Sequence, residues 1–294
     1  GKVGIYGALV NQRGTVSADS AVVGENGKIV FKASKDVLLE AGSATSATGA
    51  GKGGEIQVLG ERVGLTGNAR VDASGQQGGG TVLVGGDYQG KNAAVQNAQV
   101  AYFGPEARIK ADAVQSGDGG KVIVWGDDTT RTYGSISARG GAQSGDGGFV
   151  ETSGKKHLAF NANIDVSAPK GKVGAILLDP QDIIIADGAA GANDAMLADN
   201  ILNAADANAT TDVTVSEQAL EGLSGNVTLQ ASRDIILNNL ADNQLNMASV
   251  GAGSTLALTA GQHITATLDV NDRFLTGGGA ISFTSTGNIN IGGV

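Results

Sequence analysis

The sequence predicts an all-β protein whose chain winds into a parallel β-helix, a solenoid of stacked coils. Two observations predict this fold class. A glycine returns about every 26 residues, and each time an alternating apolar segment follows it. Self-similarity at a fixed period of this length is typical of stacked-repeat architectures. The segments that carry the repeat are 27–31, 54–58, 80–84, 120–124, 225–229, 253–258 and 279–283.

One repeat, residues 54–79, shows how a coil is built. It contains three short alternating segments that are separated by small residues. Period-two alternation places the apolar residues of all three segments on one face. Three strands joined by bends form one coil, in which glycine turns the corners and lets neighbouring coils approach closely. The apolar residues of this face are Ile56, Val58, Val63, Leu65 and Val71.

Stacking of the coils predicts which residues are neighbours in the interior. Each coil advances by about 4.8 Å, so roughly ten or eleven coils give a rod roughly 50 Å long. A single coil buries too few aliphatic side chains to offset its chain entropy, so stability comes from neighbouring coils. The predicted neighbours are Ile29 with Ile56, Val58 with Val82 or Val84, and Val122 with Val150.

Two departures from the period predict irregular segments. The step from Gly80 to Gly120 is 40 residues, and the excess predicts one extra-helical loop or hairpin, an insertion at about 87–105. The step from Gly171 to Gly225 is 54 residues, or about two turns. We therefore expect regular coils in 1–185, an irregular segment in 186–224, and further coils in 225–294.

A short α-helix is predicted at about 193–205, within the irregular segment. Asn193 or Asp194 can cap its amino terminus, and apolar residues then recur at helical spacing. A helix that caps or leans on the flank of the rod is the favoured interpretation, and a partner-binding helix is the alternative. The apolar residues are Met196, Leu197, Ile201, Leu202 and Ala205.

Composition limits the classes of partner. The net charge is −9 and there is no basic stripe, which argues against nucleic acid because phosphates are bound by clustered Lys and Arg. No apolar run approaches the roughly 18 residues of a membrane-spanning helix, so no membrane insertion is expected. The chain starts and stops within a repeat, which indicates a segment of a longer polypeptide.

Four aspartates are the best candidates for carboxylate chemistry: Asp127 and Asp128, with Asp118 and Asp146 nearby in the repeat. Glycoside hydrolysis needs two carboxylates about 5–9.5 Å apart, and aspartates one coil apart would lie about 4.8 Å from each other. Like charges at that distance repel, and no ladder of Lys, Arg or His converges on them. Corner and turn chemistry is the favoured account of these residues, so no enzyme is expected.

Other candidate sites have weaker patterns. The repeated Ser-Gly-Asp-Gly-Gly at 116–120 and 144–148 resembles a calcium-binding repeat, but the copies lie a full coil apart, which favours a tight turn. His157 and His263 have no cysteine partners, which argues against zinc. A sugar-stacking patch is the alternative to plain packing for Trp125, Tyr102, Phe103 and Tyr133. The sequence thus predicts no catalytic, cofactor-binding or metal-ligating residue.

Several segments resemble a known group of proteins. They are GKVIVWGDDTTR at 120–131, YGSISARGG at 133–141, GGFVETSG at 147–154 and LLDPQDI at 177–183, with GKVGIYG at 1–7 and 19–27 near the start. Together they resemble the large exoproteins of the filamentous haemagglutinin family. The resemblance covers most of residues 1–185 and thins after that.

The resemblance implies a right-handed parallel β-helix that a Gram-negative bacterium exports by two-partner secretion. An outer-membrane transporter is then a partner, and the location is extracellular, at the bacterial cell surface. Members of that family often act as adhesins or matrix components. The amino-terminal secretion domain of the family, which the transporter recognises, is not visible in this sequence.

Together, these observations predict a non-enzymatic rod segment of a secreted adhesin or extracellular matrix filament. Host-cell or matrix glycans or proteins are its expected partners. The strand edges at the two ends of such a rod predict end-to-end association into a homo-oligomer. A β-helical carbohydrate-active enzyme and a glycan-binding module remain the alternatives.

Overall fold

The computed structural model describes residues 1–187, 214–268 and 273–293, and these residues form a parallel β-helix. About nine turns stack on one another, and one short α-helix accompanies them. The regular coils contribute a strand to each of three faces, and the strands of a face pair in parallel with those of neighbouring coils. The predicted fold class is confirmed, with fewer turns than the ten or eleven expected.

The first face of the rod consists of the strands that follow the repeating glycine. The two longest of them, β1 (Lys2–Gln12) and β3 (Lys28–Leu39), continue round the corner into the second face. Together with the second face, these strands form one 19-stranded sheet. The strands are β1 (Lys2–Gln12), β3 (Lys28–Leu39), β5 (Glu55–Leu59), β8 (Thr81–Val84), β11 (Lys121–Gly126), β14 (Phe149–Gly154), β17 (Ala175–Leu178), β20 (Asn226–Ala231), β23 (Thr255–Ala260) and β26 (Ala280–Ser285).

The second and third faces complete the coils. The second face continues with β6 (Arg62–Leu65), β9 (Val100–Phe103), β12 (Thr129–Thr132), β15 (His157–Phe160), β18 (Ile183–Ala186), β19 (Val215–Ser216), β21 (Ile235–Leu237), β24 (Ile264–Leu268) and β27 (Ile289–Gly293). The third face is a six-stranded sheet and a separate strand pair. Its strands are β2 (Thr15–Ser17), β4 (Ala44–Ser46), β7 (Arg70–Asp72), β10 (Arg108–Lys110), β13 (Ser135–Ser137) and β16 (Asn163–Asp165), with β22 (Gln244–Gly251) and β25 (Arg273–Gly277) as the pair.

The interior is a set of aliphatic columns that run along the rod. Every second side chain of a strand points inward, and parallel pairing in register places like residues above one another. The predicted neighbours are confirmed, and all of them are fully buried. They are Ile29 opposite Ile56, Val58 opposite Val84, and Val122 opposite Val150.

The insertion is shorter than the predicted 87–105. The amide of Ala98 donates to the carbonyl of Gly85 at 2.7 Å, so residues 86–97 leave the coil and the chain then rejoins it. Val100–Phe103 is strand β9 of the second face, paired with β6 and β12. All four residues of β9 are buried and apolar, so this strand lacks the alternation of apolar and polar residues that identifies a strand in the sequence.

The step from Gly171 to Gly225 is not two regular turns. Strand β17 pairs directly with β20, so the first face advances by one strand across this step. Ala175 lies opposite Phe149, which places Gly174 rather than Gly171 at the repeating corner. The two-residue strand β19, which follows β18 in the described part of the chain, lies between β15 and β18 and pairs in parallel with both.

The described α-helix is α1 (Glu217–Glu221), which directly follows β19. The hydroxyl of Ser216 caps it by accepting the amide N–H of Ala219 at 3.3 Å. The helix predicted at 193–205 lies outside the described residues.

Candidate functional site

The insertion folds back over the outward side of the first face. We call residues 86–97 the cover segment. It lies over an apolar patch on three neighbouring coils, to which it adds its own Val95. The outward side of these strands is therefore a second, smaller core. The buried side chains of the patch are Leu59, Leu83, Ile123 and Trp125.

Polar contacts hold both ends of the cover segment. Asp87 pairs with the ammonium of Lys121 at 2.7 Å. At the other end, the side-chain amide of Asn97 donates to Asp127 Oδ1 at 3.1 Å, and the indole N–H of Trp125 donates to the same oxygen at 2.9 Å. These bonds attach the segment to the rod beside the apolar patch.

Two carboxylates, Glu151 and Asp179, accept hydrogen bonds from the middle of the cover segment. The amide N–H of Gln89 lies 3.2 and 3.1 Å from the two carboxylate oxygens of Glu151, on β14. The side-chain amide of Gln89 donates to Asp179 Oδ2 at 2.6 Å, and Lys91 Nζ donates to Gln89 Oε1 at 2.7 Å. Gln89 has a φ of 52°, in the left-handed region, which turns its backbone N–H towards Glu151.

Glu151 is fully buried between apolar neighbours. On the outward side of the sheet, Ile123 lies opposite it on β11 and Leu177 lies opposite it on β17. Burial raises the pKa of Glu151 to about 7, against bonds from Gln89 and Ser153 that lower it, and the charges of Asp179 and Asp87 raise it further. Burial also raises the pKa of Asp179. Glu151 is therefore a carboxyl that gains or loses its proton near neutral pH.

Glu151, Asp179 and Gln89 are not among the site residues that the sequence pattern predicts. Gln89 and Glu151 lie 62 residues apart, and no periodicity connects an insertion to a strand. One signal was available. Leu83 and Ile123 are apolar at outward positions of their strands, where an uncovered coil would have polar residues. Such residues predict a cover, although not what the cover binds.

The four aspartates that were candidates for carboxylate chemistry form hydrogen bonds or ion pairs with other groups of the chain. Asp118 Oδ1 accepts the amide N–H of Asp146 at 2.8 Å, and Asp146 Oδ1 accepts the amide N–H of Lys172 at 2.8 Å. Asp128 pairs with Lys156 at 2.6 Å, and Asp127 accepts from Trp125 and Asn97. Each bond from Asp118 and Asp146 joins one coil to the next, as corner chemistry predicts.

The aromatic residues of the predicted sugar-stacking patch are mostly buried. Phe103 points into the core, and Trp125 lies beneath the cover segment. Tyr102 is buried on the opposite side of its strand, and the half-buried Tyr133 packs edge-on against it at 6.0 Å between ring centroids. The packing interpretation accounts for these four residues, and an exposed stacking platform does not.

Asp112 is the most deeply buried of the coil-joining aspartates, and we expect its loss to destabilise the rod. It accepts the amide N–H of Arg139 at 2.8 Å and bonds to the Ser137 hydroxyl and the Arg139 guanidinium, both at 3.1 Å. Asp112→Ala should lower the free energy of unfolding by about 2 kcal/mol, because a partly buried N–H and the Arg139 guanidinium lose their acceptor. Urea denaturation measures this. Asp112→Asn keeps an acceptor and should lose less, so equal losses in the two variants would contradict the account.

Among the described residues, one group of three carboxylates lies close enough to hold a metal ion. Glu217 and Glu221 of α1 and Asp242 have oxygens within 4.8 Å of one another. Burial raises the pKa of Glu217 to about 8, with further contributions from Asp242, Glu221 and Asp187. Within this group, Glu217 accepts a hydrogen bond at 2.8 Å from the side-chain amide of Gln218, the next residue of the helix. Neither His157 nor His263 belongs to such a group in this part of the chain.

The raised pKa of Glu217 predicts a pH-dependent effect of substitution. A carboxyl whose pKa is raised by folding stabilises the protein below its ordinary pKa of 4.5 and loses that contribution as the pH rises to about 8. The free energy of unfolding of Glu217→Gln, relative to that of the unchanged protein, should therefore increase from pH 5 to pH 9. Urea midpoints at pH 5, 7 and 9 measure the gain. Exposed Glu25→Gln is the control, and a difference that does not vary with pH would contradict the prediction.

Comparison with known proteins finds no family model and no curated protein that matches this chain. In the described ranges, no helix combines the length and apolar character that crossing a membrane requires.

Proposed function

We propose that this chain is a non-enzymatic rod segment of a secreted bacterial surface adhesin or extracellular matrix filament. In this proposal the rod holds a binding surface for glycans or proteins of a host cell or matrix, at an extracellular location. One observation carries it: the coil-joining carboxylates bind backbone of the next coil, as for Asp118, Asp146 and Asp112. Acidic side chains used in this way support stacking and leave little for catalysis.

Binding and turnover can be tested on the same sample. We expect the purified chain to bind a ligand on a panel of immobilised glycans and matrix proteins. We expect it to release no reducing ends from the glycans. Asp127→Ala and Asp128→Ala should leave retention unchanged, because those carboxylates bind Trp125, Asn97 and Lys156. Release of reducing ends that either substitution abolishes would overturn the proposal.

End-to-end association is the second part of the proposal. Tyr6 and Leu9 on β1 and Ile289 and Ile291 on β27 are exposed large apolar residues on the terminal strands of the described stack. Pairing of one terminal strand with that of another copy would continue the sheet. Analytical ultracentrifugation over a hundredfold range of concentration should show mass increasing with concentration. A strict monomer throughout would remove this part of the proposal and leave the scaffold role in place.

A carbohydrate-active enzyme is the second candidate, and the Glu151–Asp179 pair is the observation that favours it. Two carboxyls on adjacent coils, one with its pKa raised to about 7, have the character of an acid and its partner in glycoside hydrolysis. The cover segment lies over both groups. Reducing-end release that is lost in Glu151→Gln and Asp179→Asn would favour this candidate.

A further inference from the structure

We propose that the cover segment, residues 86–97, is a pH-operated latch on the flank of the rod, closed while Glu151 holds its proton and opening as that carboxyl ionises. This inference is independent of the ligand of the rod. It rests on where Glu151 lies, on what the cover segment contacts, and on what opening would expose.

Closure removes Glu151 from water without supplying a cation. The carboxyl is fully buried, with Ile123 and Leu177 on either side of it in the sheet. Its described bonds come from the Gln89 N–H and from Ser153. A charged carboxylate in such surroundings is costly because burial removes its hydration, whereas a neutral carboxyl is not. The closed cover segment therefore favours the protonated form.

The charges around Glu151 act in the same direction. Asp87 on the cover segment and Asp179 after β17 both raise the cost of a negative charge on Glu151. The two nearby lysines are engaged elsewhere: Lys121 pairs with Asp87, and Lys91 bonds to Gln89 and acts on Asp179. Ionisation of Glu151 would thus add a third negative charge to those of Asp87 and Asp179.

Linkage gives the sign and size of the effect. The pKa of Glu151 is about 7 in the closed form, and opening to water returns it towards its ordinary 4.5. The open form then binds fewer protons between these values, so opening is favoured as the pH rises. The full change in the opening equilibrium is about 300-fold, and between pH 5 and pH 8 it is on the order of 50-fold.

Opening would uncover the apolar patch, and the only tryptophan of the chain reports on it. Trp125 is buried beneath the cover segment. Gly86 and Gly90 lie directly against its indole: a Cβ on either glycine would be 2.8 or 2.6 Å from a ring atom. Leu83 and Ile123 would be exposed together with it, which gives the open form an apolar surface that the closed form lacks.

Hydrogen exchange measures the opening equilibrium directly. Exchange of the backbone amides of residues 86–97, corrected for the intrinsic dependence on pH, should show protection that falls on the order of 50-fold from pH 5 to pH 8. Acrylamide quenching of Trp125 should rise over the same range. The amides of Arg108–Lys110 in β10, on the third face, are the internal control and should show no such fall in protection.

Two carboxyl variants separate the latch from a general effect of pH. Glu151→Gln keeps an acceptor for the Gln89 N–H and cannot ionise, so its cover segment should stay protected from pH 5 to pH 8. Asp179→Asn should retain the step, displaced to lower pH because one negative charge has been removed. A step that survives in Glu151→Gln, or one that is lost only in Asp179→Asn, would overturn the proposal. So would a Glu151→Gln cover segment that is unprotected at every pH.

A third variant holds the latch open by a different route. Gly90 has a φ of +61°, and an added Cβ would lie 2.6 Å from Trp125 Cε2. Gly90→Ala should therefore expose Trp125 to acrylamide at pH 5 as well as at pH 8. Circular dichroism should show the rod intact. Full protection of Trp125 at pH 5 in this variant would contradict closure by the contacts described.

Discussion

Gly79→Ala should destabilise the rod by about 3 kcal/mol or more, among the largest effects of any single substitution. A Cβ at this corner would lie 1.9 Å from the carbonyl oxygen of Ala111 and 2.2 Å from the amide nitrogen of Gly120. Both contacts are to backbone of the neighbouring coil, which cannot move away without breaking the parallel hydrogen bonds on either side. Urea denaturation followed by circular dichroism measures the loss.

Gly14→Ala is the matched control for Gly79→Ala. A Cβ on Gly14 would meet nothing within 4 Å, and its backbone is outside the left-handed region. Its effect should stay within about 0.5 kcal/mol, as for an ordinary surface substitution. If Gly79→Ala were as stable as Gly14→Ala, the neighbouring coils would not approach at this corner as closely as described.

Phe103→Ala should cost about 3–5 kcal/mol, because it leaves a cavity in the interior of a central coil. Phe103 is fully buried on β9, opposite Leu65 of one neighbouring strand and Thr132 of the other. Neighbouring aromatic side chains that could fill the cavity are few, since only 4% of the residues are aromatic. The close-packed coils above and below limit its collapse. The same urea experiment measures the effect.

Leu9→Ala is the control for the core substitution. Leu9 is 62% exposed on β1, so its truncation should change the free energy of unfolding by about 0.5 kcal/mol or less. A cost for Phe103→Ala no larger than that of Leu9→Ala would mean that β9 does not point Phe103 inward. The predicted insertion at 87–105 would then be the better description of residues 100–103.

The parts of the fold that could be predicted from sequence depend on nearest-neighbour stacking. Ile29 and Ile56 occupy the same position of consecutive repeats, and parallel pairing in register makes such residues neighbours. The periodic glycine marks the corner for the same reason. Gly174 lies 26 residues after Gly148, on the period, whereas Gly171 lies only 23 residues after it. The pairing of Ala175 with Phe149 agrees with the period and places Gly174 at the corner.

The candidate site could not be predicted because it joins segments that the period does not relate. The backbone of Gln89 reaches Glu151 only because residues 86–97 fold back across the outer surface of the sheet. In the sequence Glu151 resembles an ordinary exposed strand residue, and the fold buries it beside Ile123, Leu177 and the cover segment. The corner aspartates, by contrast, belong to local turn chemistry that the sequence does indicate, and the amide N–H of Asp146 donates to Asp118.

The most direct test of the stacked architecture is a pair of distances between spin labels on the first face. The chain has no cysteine, so Lys2→Cys can be combined with Lys121→Cys or with Asn226→Cys without other changes. The strand register places these positions four and seven coil steps apart. The account predicts separations of about 19 and 34 Å, in proportion to the number of steps. Equal separations in the two double variants would contradict it.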